Sequence, residues 1–106
     1  MKLLTQANIR SLPELGAQEA AGKNAIAYVK LFTPDSNWTW YLTEFDGEHT
    51  AFGLTDGFEK ELGYIDITEI SSVRGPMGLK IERDRWWHPK TLAEIAPELF
   101  EKVTSE

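Results

Sequence analysis

The chain has no cysteine, which excludes disulfides, thiolate-bound zinc, iron–sulfur clusters and thiol catalysis. A cysteine-free chain suits the reducing cytoplasm, the location expected from the sequence. Only two histidines occur, His49 and His88, and neither lies in a nucleophile-elbow, zincin or deaminase pattern. No apolar run approaches the ~18 residues of a membrane span, and Met1-Lys2-Leu3-Leu4 leads into polar residues rather than a signal-peptide core. The glycines form neither a GxGxxG fingerprint nor a Walker loop. Bases are scarce: 11 Lys and Arg stand against 17 Asp and Glu, a formal net charge of −6 that disfavours unaided binding to a phosphate backbone.

What remains is the composition of an ordinary globular protein: 106 residues, 42% hydrophobic and 26% charged. That length fits a single domain, residues 1–106, with one modest core. Thr5 is a candidate N-cap for a first helix carrying Leu4, Ile9 and Leu12 at near-helical spacing. Ser11 and Glu14 flank Pro13 as a capping box for a second turn, and residues 16–24 read as a connection. Strands are predicted over residues 25–33, 38–45, 49–54, 58–65 and 79–85. Asp46-Gly47 between two of them is the strongest hairpin signal, read as a type I′ turn, and Asp56-Gly57 repeats it. Asp66 and Glu69 cap a short helix through Ser72. Thr91 and Glu94 open a last helix carrying Leu92, Ile95, Leu99 and Val103, with Pro97 as a kink. The expected fold is therefore α+β: a small antiparallel, meander-like sheet of about five strands, with helices at both ends.

Charge is uneven. Residues 35–69 hold nine acids and one base, whereas residues 70–90 hold five bases and two acids. Such runs are ordinarily solvated faces, but an acidic sheet edge would also dock on a basic partner. Glu44, Asp46, Glu48 and His49 cluster at one hairpin without EF-hand spacing, so no metal site is expected. Glu59, Glu61 and Asp66 can be written as an acid/base pair, but nothing in the pattern perturbs them. On the second strand, alternation sends Trp38, Trp40 and Leu42 to one face and Thr39, Tyr41, Thr43 and Phe45 to the other. The Trp face is either core under a helix or a stacking platform. Trp86-Trp87-His88-Pro89, near Arg83, Arg85 and Lys90, is either a basic aromatic patch or a clamp on the last helix.

The ordered segments Phe32-Thr33-Pro34-Asp35-Ser36-Asn37-Trp38-Thr39-Trp40-Tyr41, Thr43-Glu44-Phe45-Asp46-Gly47, Phe52-Gly53-Leu54, Glu61-Leu62-Gly63-Tyr64 and Ser72-Val73-Arg74-Gly75-Pro76 carry a resemblance. Over roughly residues 1–85 the chain resembles a family of small bacterial proteins classed as a domain of unknown function. The segment after Asp84 departs from that family's endings. The resemblance implies a setting on plasmids, integrative elements and phage-like regions, and no activity, cofactor or catalytic set.

Together these readings predict a non-enzymatic cytoplasmic binding protein. Its partner is expected to be another protein, of the basic nucleic-acid-binding kind, contacted through Glu44, Asp46 and Glu48 with Trp86 and Trp87. In the setting the resemblance implies, it would inhibit or modulate a host defence or DNA-processing complex. The alternative is a module for single-stranded nucleic acid, with Arg83, Arg85 and Lys90 on phosphates and Trp86 or Trp87 stacking on bases. A small-molecule binder or enzyme comes last, for want of any motif. No metal, cofactor or membrane partner is expected, and the sequence does not set the oligomeric state.

Overall fold

The computed structural model describes residues 3–100. Thr5 caps the first helix, α1 (Gln6–Ser11), through a reciprocal box: the Asn8 amide donates to the Thr5 hydroxyl at 3.0 Å, and the Thr5 amide donates to Asn8 Oδ1 at 2.9 Å. No helix starts at Pro13. Leu12 is extended, and Pro13 instead accepts a bond from the Phe45 amide, which ties this segment to the sheet. Part of the expected connection winds into a 3₁₀ segment, Glu19–Asn24.

The predicted first strand splits. Its start, β1 (Ile26–Ala27), leaves the main sheet to pair with β7 (Lys90–Thr91), and only β2 (Val29–Phe32) continues into it. Then follow β3 (Thr39–Phe45), β4 (Thr50–Asp56) and β5 (Lys60–Asp66), each joined antiparallel to the last. Helix α2 (Ile67–Ser71) begins directly, with the Glu69 amide donating to Asp66 Oδ1 at 3.0 Å. Of the predicted fifth strand only β6 (Glu82–Arg83) forms, and it crosses to pair with β2. The sheet order is β5-β4-β3-β2-β6, a meander closed on one side by a crossover. Thr91 and Glu94 form the predicted capping box of α3 (Leu92–Ile95), and Pro97 restarts the chain as a 3₁₀ turn, Pro97–Leu99. Val103 lies outside the described residues.

Both turns depart from the type I′ expectation. Gly47 has φ +87° but Asp46 does not share it; Asp46 acts through its side chain, which gathers the amides of the next residues, and β4 starts at Thr50. Gly57 has no positive φ. A Cβ there would run into the Trp38 ring, so this glycine makes room for an aromatic.

A β-bulge between Leu42 and Glu44 corrects the predicted faces of β3. Two residues, Thr43 and Glu44, oppose Phe52, and the Thr43 hydroxyl donates to the Phe52 carbonyl at 3.0 Å. The extra residue turns Phe45 onto the Trp40–Leu42 face and Glu44 onto the other. The first face carries Val29, Leu31, Trp40, Leu42, Phe45, Ala51 and Ile65 under Leu4, Leu12, Ile67, Ile70 and Ile81. The second carries a smaller cluster, Leu54 with Ala25, Leu92 and Ala96, flanked by Tyr41, Ile95 and Phe100.

Candidate functional site

Glu44 is only 4% exposed. Its carboxylate oxygens accept from the amides of Gly16 and Gln18, both at 2.7 Å. The Gln18 side chain completes the joint: Nε2 donates to the carbonyls of Ile26 (2.9 Å) and Thr43 (2.8 Å), and Oε1 accepts from the Ile26 amide (2.7 Å). A buried carboxylate needs such donors to offset its lost hydration. The expected exposed triad is therefore corrected: Glu44 points inward and locks the chain at residues 16–18 to the sheet. Asp46 and Glu48 remain at the surface. Asp46 Oδ1 accepts from the amides of Glu48 (2.8 Å), His49 (2.9 Å) and Thr50 (3.1 Å). Those donors, the Glu48 amide first, hold its carboxyl below the usual carboxylate range. His49 Nδ1 lies 2.9 Å from the Thr50 hydroxyl. Among the described residues, no three His, Asp or Glu side chains converge as metal ligands.

The basic aromatic segment separates into anchored and free residues. Trp87 faces inward: its Nε1 donates to the Ala27 carbonyl at 3.0 Å, and its ring lies 5.5 Å from that of Tyr41. Lys90 and Lys30 lie over this ring at 5.1 Å and 5.7 Å, and Lys30 also pairs with Asp84 at 3.7 Å. Burial raises the Tyr41 phenol above its ordinary value, with Asp56 adding to the effect. Arg83 reaches the other way and donates to the Leu3 carbonyl at 2.9 Å. The three cations thus do not form one patch, which corrects the phosphate-binding set. Trp86, 84% exposed, projects to solvent beside exposed Arg85. The Trp87 amide donates to the Asp84 carbonyl at 3.3 Å and closes a turn over Arg85 and Trp86, so one Trp clamps while its neighbour is free.

The segments behind the family resemblance interlock. Trp38 stacks on Trp40 with centroids 6.0 Å apart and meets Phe58 edge-on at 5.2 Å. Trp40 is core, and Trp38 covers its rim. Asp35 Oδ2 accepts from the amides of Met77 (2.7 Å) and Leu79 (3.4 Å). Its carboxylate fills the space a side chain on Gly75 would need. The Asp35 and Gly75 segments therefore meet as a structural clasp.

The second sheet face carries a feature the acidic-hairpin reading missed. Between the sheet, the segment at residues 16–25 and the C-terminal segment lies a cleft of about 270 Å³, with Phe52, Leu62, Tyr64, Leu92 and Phe100 as its large apolar lining and Thr43 and Glu44 contributed by β3. Tyr64 is 75% exposed and Leu62 44%, and Tyr64 packs edge-on to Phe52 at 5.2 Å. Glu19 also lines the cleft. A wider depression of about 480 Å³ runs over Lys30, Phe32, Trp38 and Thr39 to Asp84, but its walls are mainly polar. The sequence signal for the cleft is parity: Leu62 and Tyr64 alternate against buried Ile65, so both belong to the opposite face.

In comparison with known proteins, the chain matches, over residues 3–97, the model of a family described as protein of unknown function (DUF2958). The match extends through Trp86 and Trp87, beyond the span suggested by the sequence segments. No curated protein and no solved structure matches the chain.

Proposed function

The chain belongs to that family of unknown function, and from this premise we propose that it is a binding module that receives a basic, partly apolar segment of a partner protein in the cleft beside β5. The observation that carries the reading is the exposure of Leu62 and Tyr64 on the wall of an apolar cleft. Exposed aromatic side chains around a concave apolar surface are the usual anchors of an interface. The partner's basic character follows from exposed Glu19 in the cleft lining and from the chain's formal net charge of −6. Asp46 and Glu48 contribute to this field as surface charges that steer encounter, while Glu44 acts as structural support.

The reading assigns binding rather than catalysis because the buried carboxylate lining the cleft is already occupied by two backbone donors. No helix among the described residues is long and apolar enough to cross a membrane. A cytoplasmic location is part of the proposal and agrees with the lack of cysteine. In a mobile-element setting, such a module would suit the modulation of a defence or DNA-processing complex, whose nucleic-acid-handling subunits carry basic surfaces.

Affinity capture from bacterial lysate tests the reading with three baits: the unmodified protein, Phe100→Lys and Trp86→Ala. The expected result is a protein retained by the unmodified chain and by Trp86→Ala, and lost with Phe100→Lys. Equal retention by all three baits, or by none, contradicts it. A second reading rests on exposed Trp86 beside Arg85, which would stack on a base of single-stranded nucleic acid. Quenching of Trp emission by a short oligonucleotide, abolished in Trp86→Ala, would favour that reading over the first.

A further inference from the structure

Strand β5 ends the sheet, and no strand among the described residues pairs with its outer side. Its register with β4 is unbroken from Thr50–Asp66 to Asp56–Lys60. Just beyond one end, the Ile67 amide donates to the His49 carbonyl at 2.7 Å; just beyond the other, the Gly57 amide donates to the Glu59 carbonyl at 3.1 Å. Antiparallel ladders alternate hydrogen-bonded and non-hydrogen-bonded pairs, so both ends give the same phase. Ala51–Ile65, Gly53–Gly63 and Thr55–Glu61 are the bonded pairs. The N–H and C=O groups of Lys60, Leu62, Tyr64 and Asp66 therefore face outward.

Exposed edges are normally blunted by lysine, proline, a bulge or very short length. The other edge follows that rule, since β6 is two residues long and both are charged. The middle of β5, Leu62-Gly63-Tyr64, follows none of it. Its sequence is instead self-complementary. Turned about Gly63, an antiparallel second copy sets Leu62 opposite the partner's Tyr64 and Lys60 opposite the partner's Asp66, which would join the ion pair Lys60 already makes with Glu98 of its own chain. Every outward-facing residue then meets another outward-facing residue. Registers centred on Leu62 or Tyr64 also keep this parity, but they leave both Lys60 and Asp66 opposite uncharged residues. Opposite charges and apolar pairs across strands are favourable neighbours.

We propose that this protein self-associates as a two-fold dimer in which β5 pairs antiparallel with β5 of a second copy, centred on Gly63, joining the two sheets edge to edge. Leu62 and the partner's Tyr64 exchange backbone hydrogen bonds. Gly63 meets its copy in a non-hydrogen-bonded pair, where backbones approach most closely. The dimer rests on the edge of β5 rather than on the cleft reading, and it sets two clefts side by side on one continuous sheet face.

The absence of cysteine makes a direct test available. At the proposed axis the two Gly63 Cα atoms stand about 4.5 Å apart, at the short end of the range a disulfide spans. A Cβ at Gly63 meets nothing within 4 Å, so Gly63→Cys leaves the fold intact. In Glu61→Cys the two thiols would be four residues out of register, about 13 Å apart along the strands. Air oxidation at a concentration where the unmodified protein is dimeric is expected to convert Gly63→Cys to a covalent species of twice the 12.0 kDa chain mass, with Glu61→Cys remaining single. Sedimentation equilibrium of the unmodified protein is expected to show a dimer that dissociates on dilution. Equal cross-linking of both cysteine variants, or an unmodified protein that stays monomeric at millimolar concentration, overturns the proposal. Neither cysteine position lines the cleft, so this outcome is separate from that of the capture experiment.

Discussion

The two faces of the sheet are built to different degrees of closure. One lies under α1, α2 and the segment around Ile81, and it holds the large cluster from Leu4 to Ile81 around Trp40 and Leu42. The other is covered in part by residues 16–25, which bury Glu44 and place Ala25 by Leu54, and in part by the C-terminal segment, which places Trp87 over Tyr41 and Leu92 by Leu54; Leu62 and Tyr64 stay open. The same strands serve both faces, so the difference comes from what the ends of the chain cover. Hydrophobic burial on one face supplies most of the fold's support. The partly covered face thereby keeps a cleft, and the one buried carboxylate of the sheet lines it.

The largest expected effect sharpens this contrast. Leu42→Ala removes a fully buried side chain from the closed face and should cost about 2–5 kcal/mol. Leu92→Ala, in the smaller and more open cluster, should fall at or below the low end of that range, because its surroundings collapse more easily. Urea midpoints of both variants check the ranking, and equal losses would erase the difference between the faces. Next comes Glu44→Gln. It sets an amide NH₂ against one of two backbone donors and should cost about 1.5–3 kcal/mol, read from the same midpoints. An unchanged midpoint would mean that the carboxylate does not hold the chain at residues 16–18. Tyr64→Lys on the open face should change stability by no more than about 0.5 kcal/mol, since its ring is largely solvated. A loss as large as that of Leu42→Ala would make Tyr64 a core residue.

The smallest effect lies outside both faces. Asp46 titrates below its ordinary value, so its contribution to stability is complete above the unfolded value of 3.8 and is lost as pH falls through the lower folded value. Asp46→Asn should flatten that part of the acid-unfolding curve. An identical acid limb in both proteins would show that the turn draws nothing from the ionised carboxyl.

Much of the fold was readable from local chemistry. The caps at Thr5, Asp66 and Thr91 announce their helices, and alternation over residues 58–65 announces the outer strand, which forms two residues later at its start and one later at its end. The face of Phe45 was not readable, because a single unpaired residue at the bulge reverses a period-two count. Glu44 is not legible for a different reason: its partners are backbone amides of Gly16 and Gln18, which leave no side-chain signature. Counting acids near a turn treats every carboxylate as solvated. Arg83 and Lys90 were misgrouped because a carbonyl and an aromatic face attract cations as readily as a phosphate does, and only tertiary structure decides among them.

The central claim, that the half-covered face is where a partner binds, is tested most directly by backbone amide NMR during titration with a short peptide alternating lysine and valine. The account predicts shifts concentrated at Phe52, Leu62, Tyr64 and Phe100, weakening as salt is raised, with Trp40 and Leu42 unmoved. No shift at any concentration, or shifts centred on Trp86 and Arg85, would contradict it.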